Sequence, residues 1–111
     1  MQTLTVDLGV ADTAERVRAG VAASGLSVEC VGEYAHHGTG SDVVMLVFEK
    51  YFMRTSSRAS LSVVVEDVAG QTRVAFCGSG GGQTTMFRFD WGAGDSFADA
   101  VAGVLRDHIV E

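Results

Sequence analysis

Apolar and polar positions alternate in the opening residues. Leu4, Val6 and Leu8 stand against Thr3, Thr5 and Asp7, the period-two pattern of a half-buried strand. The period then changes. Ala14, Val17 and Val21 recur at helical spacing, with Glu15, Arg16 and Arg18 turned to water. Asp12, three residues before Glu15, predicts a capping-box start. Gly25 predicts a left-handed end to this helix, with Leu26 closing onto Val21.

A second strand puts Leu26, Val28, Cys30 and Tyr34 on one face and Glu29 and Glu33 on the other. Ala35 to Asp42 reads as a loop by its Gly and Ser content. Val43 to Met53 is the longest strand candidate, apolar on both faces at first, which predicts a central position in its sheet. After a polar turn at Thr55–Arg58, Leu61, Val63 and Val65 define a fourth strand. Ala69–Gln71 is a short hairpin connection into a fifth, Thr72 to Gly78. Phe87, Phe89 and Trp91 alternate with Met86, Arg88 and Asp90, a sixth strand or a continuation of the fifth beyond a bulge. Asp95 or Ser96 caps a last helix, whose stripe is Phe97, Val101, Val104, Leu105 and Ile109.

The expected order is β-α-β-β-β-β-(β)-α over a single domain, residues 1–111. Short connections imply an antiparallel sheet, and two amphipathic helices suffice to cover one of its faces. The expectation is an α+β two-layer sandwich, similar to the TATA-binding-protein-like and helix-grip folds. Fold analogy alone assigns no function.

Composition narrows the partners. Eight basic against 14 acidic side chains give a net charge of −6, which argues against a nucleic-acid partner. The longest apolar run, Val43–Phe48, is far short of the ~20 residues that span a membrane as a helix. The first residues carry no leader pattern, so a cytoplasmic location is expected, with Cys30 and Cys77 reduced and buried as small hydrophobes. Because the central strand is apolar on both sides, its second face needs cover. A second copy of the chain supplies it most simply, so a homodimer is expected.

Val47–Arg54 followed by Ser57–Val63, then Gly78–Gln83 running on to Phe87-Arg88-Phe89 and Gly94–Phe97, resemble a family of small stand-alone bacterial proteins described only as a domain of unknown function. The resemblance covers about residues 43–105. It implies a bacterial cytoplasmic protein and carries over no catalytic residue.

The candidate chemistry is sparse. Gly78–Gln83 offers backbone N–H groups to an anion, but it is not a P-loop and lacks dinucleotide-binding spacing, so no cofactor is expected. Lys50, Phe52 and Arg54 share one face of their strand. If Arg54, Arg58 and Arg88 converge, their planar forks suit a carboxylate or phosphate. Pairing with Glu49, Glu66 and Asp90 is the structural alternative. The expected ligand site is therefore Tyr51, Arg54, Arg58, Ser79, Gly80, Gly81, Gly82 and Arg88, for a small anionic or amphipathic ligand, with Tyr51 as neutral donor. His36 and His37 point opposite ways on an extended chain, so they make a poor metal pair and no metal site is expected. The picture is a non-enzymatic binding or homo-oligomeric interaction module. Its rival is a small enzyme using Cys77 or His36 and His37.

Overall fold

In the computed structural model, residues 1–25, 27–39, 41–53, 56–80 and 93–110 are described, with side chains from residue 97 onward in the last segment. Five strands form one antiparallel sheet: β1 (Gln2–Val6), β2 (Val28–Gly38), β3 (Ser41–Phe52), β4 (Ser57–Val68) and β5 (Gln71–Gly80), in the order β1-β5-β4-β3-β2. Two helices, α1 (Val10–Ala22) and α2 (Ala93–Leu105), cover one face. The class is α+β, as the element order predicts. The possible sixth strand at 85–91 lies outside the described residues.

The core is the helix-facing side of the three central strands closed by the two helical stripes. Leu46, Phe48, Leu61, Val63, Val65, Val74 and Phe76 are fully buried, as are Val17 and Val21 of α1 and Val101 and Leu105 of α2. Alternation along β4 is strict, with Ala59, Leu61, Val63 and Val65 all inward. Where the helices meet, a side chain at Gly20 would fall 2.5 Å from Val104 Cγ2, so the missing Cβ sets how closely they approach.

Both predicted ends of α1 are corrected. The helix starts at Val10 with Gly9 as its cap, and Thr13 donates from its backbone N (2.9 Å) and its hydroxyl (2.7 Å) to the Gly9 carbonyl. Asp12 therefore sits inside the first turn, where the helix dipole favours it, and Glu15 pairs with Arg18. At the other end, Ser24 closes the helix through its N–H (3.0 Å) and hydroxyl (2.6 Å) on the Val21 carbonyl, and Gly25 is not left-handed. Leu26 is outside the described residues. The helix α2 begins at Ala93, ahead of the expected cap.

The expected loop at Ala35–Asp42 is also replaced. Here β2 runs to Gly38, which pairs with Ser41, so the polar Ala-His-His stretch belongs to a hairpin. An edge strand exposed on both sides tolerates such residues. Next, a bulge at Val31 breaks the register between Cys30 and Gly32 and reverses the alternation. Val28 and Cys30 stay on the core side, but Tyr34 moves to the outer face and Glu33 to the helix side, opposite Leu46. There Arg18 reaches it with Nε (3.3 Å) and Nη2 (3.1 Å). The hydrogen bond to Glu33 is the main reason the Arg18 guanidinium is held more firmly protonated than usual.

The free side of β1 is occupied by the chain's end. A single 3-10 turn, Arg106–His108, follows α2, and then Ile109 bridges to Val6. Asp7 N donates to the His108 carbonyl (2.9 Å) and Val110 N to the Thr5 carbonyl (2.8 Å), while His108 Nδ1 meets Asp7 Oδ1 at 2.9 Å.

Candidate functional site

Among the described residues, the outer face of the sheet has no helix on it. The strand registers order that face into cross-strand rows. The central row is Tyr34, Met45, Val64, Ala75 and Thr3, and beside it lies Gly32, Val47, Ser62 and Cys77. On one side follow Glu29, Glu49, Ser60 and Ser79, then Tyr51 and Arg58 at the strand ends. On the other side follow His36, Val43, Glu66, Arg73 and Thr5. The middle of the face is thus apolar, with Tyr34 61 % and Met45 37 % exposed. The ends are charged. The second face that Val43, Met45 and Val47 were expected to present is real.

Tyr51 and Arg58 of the expected ligand site are brought together as cross-strand neighbours. They line an open groove of about 390 Å³ with Ser27, Val28, Glu29 and Glu49. Arg58 Nη1 donates to Glu49 Oε1 at 3.1 Å, and its guanidinium lies 5.6 Å from the Tyr51 ring centroid. Glu29 stands directly opposite Glu49, so two carboxylates and one guanidinium share the groove. Two-thirds exposure of Arg58 makes its ion pair energetically weak.

Ser79 lies one row inward on the same face, its hydroxyl 3.3 Å from that of Ser60. Gly80 serves the backbone. At φ +128° it faces Ala59, and a side chain there would fall 2.4 Å from Ala59 Cα and 2.6 Å from the Arg58 carbonyl. Arg54, Gly81, Gly82 and Arg88 lie outside the described residues. Lys50 is on the opposite face of the sheet from Arg58, its ammonium 5.2 Å from the Phe52 ring centroid. Lys50 therefore lies on the helix side of β3, because alternation sends it inward with Phe48.

The cysteines correct the buried-thiol expectation, since Cys77 is exposed on the outer face and Cys30 is half-buried. Cys77 sits on β5 and His36 on β2, three strands and two rows apart, or roughly 20 Å at ordinary sheet spacings. His37 Nδ1 instead approaches Asp42 Oδ1 at 3.4 Å across the hairpin. Among the described residues, no three His, Cys, Asp or Glu side chains are grouped to hold a metal ion. Nor is any buried side-chain nitrogen or oxygen there without a hydrogen-bond partner. No described helix is long and apolar enough to cross a membrane.

The rows of the outer face were hard to find in the sequence because the bulge hides half of them. Tyr34 joins Met45 and Val64 only after Val31 is counted out of the register.

No curated protein and no solved structure matches the chain. A family model does, over residues 2–109, so the chain belongs to the family described as "Family of unknown function (DUF6054)".

Proposed function

We propose that this chain is a non-enzymatic interaction module that acts as a homodimer through the face of its sheet opposite α1 and α2. The observation that carries this reading is the apolar middle of that face: Met45 and Tyr34 exposed, with Val43, Val47, Val64 and Ala75 around them. Contiguous exposed apolar surface rimmed by polar residues marks an interaction site. A second copy offers the same surface, and closed two-fold pairs are the commonest assembly. The direct test is light scattering on the wild type and on Met45→Asp. The expected result is a wild-type dimer that the variant converts to a monomer without loss of fold, because an aspartate there would be buried without a partner. A wild type that is monomeric throughout sinks the proposal.

A second reading is supported by the groove beside Tyr51 and Arg58. It would hold a small anionic or amphipathic ligand, with Arg58 released from Glu49 to meet it and Ser79 nearby. Native mass spectrometry of the purified protein should then show an added mass that Arg58→Ala removes. Identical bare spectra from both proteins count against it.

A further inference from the structure

Among the described residues, β1 and β2 are the outermost strands of the sheet, and their edges are guarded differently. An unpaired edge invites a foreign strand, which charges, bulges or a cover discourage. β2 carries the Val31 bulge together with Glu29, Glu33, His36 and His37. β1 reads Gln-Thr-Leu-Thr-Val, with no charge, proline or glycine. Its guard is residues 108–110, which lie along it as a short antiparallel strap. Ile109 bridges Val6, Val110 N donates to the Thr5 carbonyl at 2.8 Å, and Asp7 N donates to the His108 carbonyl at 2.9 Å.

The strap marks which groups of β1 point outward. In an antiparallel ladder the N–H and C=O of one residue point to the same side, and the side alternates along the strand. Thr5 and Asp7 meet the strap, so Thr3 also points away from β5. Among the described residues, those outward groups of Thr3 have no backbone partner.

We propose that the strap is autoinhibitory and that β1 beneath it is a self-association edge, pairing antiparallel with β1 of a second copy about a two-fold axis at Leu4. A second copy fits because the strand is complementary to itself in this register. Thr3 of each chain faces Thr5 of the other, each pair exchanging both backbone hydrogen bonds. Threonine pairs are favourable cross-strand neighbours. Leu4 meets Leu4 on the core side, where it already packs against the buried cluster. The two Asp7 carboxylates fall at opposite ends, so like charges are not opposed. Strap and second copy use the same Thr5 groups, so one excludes the other. The face opposite the helices takes no part, and the inference stands apart from the face dimer.

The test uses chains carrying Met45→Asp, so that the outer face contributes no association. If that face never associates, the change is silent and the test reads the same. The strap is released in two ways: by deleting residues 108–111, or by Val110→Pro, which removes the donor to Thr5 and keeps Ile109. Val110 is exposed, so the second variant leaves the core intact. Sedimentation velocity measures association, with circular dichroism showing that each chain folds. The strapped chain is expected to stay monomeric, and release to lower the dimer dissociation constant by at least about tenfold. The Thr3 amide should exchange more slowly in that dimer. Thr3→Pro added to the released chain removes an outward N–H and no bond to β5, and should restore the monomer. Released, folded chains that stay monomeric to several hundred micromolar overturn the proposal. A dimer that survives Thr3→Pro overturns it equally.

Discussion

At two positions the backbone demands more than the side chain offers. Ala69 and Gly70, at φ 52° and 83°, form the two-residue turn between β4 and β5, and Asp67 Oδ1 accepts the Gly70 N–H at 3.1 Å. Both positive angles match a type I′ turn, which asks for Asn-Gly. An alanine in the left-handed region costs about 1–2 kcal/mol, whereas Asn tolerates it. Ala69→Asn should therefore raise stability by about 0.5–1 kcal/mol in urea unfolding, and an unchanged midpoint would show that the turn carries no strain. Gly80 has the opposite answer, because the space for a Cβ is filled by backbone. Gly80→Ala should cost at least about 2 kcal/mol. That loss reads the glycine as a packing requirement of β5 against β4, whatever the neighbouring glycines do.

At the scale of elements, the strands and helices were legible wherever one period ran uninterrupted. β4 shows Ala59, Leu61, Val63 and Val65 as plainly in sequence as in the core, and α1 shows Ala14, Val17 and Val21. The failures have local causes. A capping box is a preference that Gly9 and Thr13 satisfied another way, with the cap three residues earlier than Asp12. Ser24 took the carbonyl that Gly25 was expected to serve. The Val31 bulge changed the face of every β2 residue after it, and no pattern in Cys-Val-Gly-Glu-Tyr announces one. The joining of the chain's two ends was equally hidden, since Thr5, Asp7, His108 and Val110 meet only through the fold. These contacts protect β1, a five-residue strand that among the described residues pairs otherwise with β5 alone. Deleting residues 108–111 should remove about 2–3 kcal/mol, from the lost hydrogen bonds and Ile109 packing. Hydrogen exchange should show the β1 amides opening first. Uniform loss of protection across all five strands would mean that β1 does not open separately.

At the scale of the molecule, the described residues cover the sheet on one side with two helices and leave an apolar band on the other. The arginine site expected from sequence is only partly visible, since of its three arginines Arg58 alone is among the described residues. Tyr51 and Arg58 do meet, because β3 and β4 pair them directly, but Glu29 and Glu49 share their groove. The apolar band was foreshadowed by Val43–Phe48, a run too long to face one way. What no single residue announced was the order of rows, with Glu29 and Glu49 beyond one side of the band and His36, Glu66 and Arg73 beyond the other. The proposal of self-association rests on the apolar band of this face.

The most direct measurement of that claim is sedimentation equilibrium of the unmodified chain from low micromolar to a few hundred micromolar. A monomer–dimer equilibrium is expected, with the dimer dominant at the upper end. A single species at the monomer's 11.6 kDa across the whole range would contradict it.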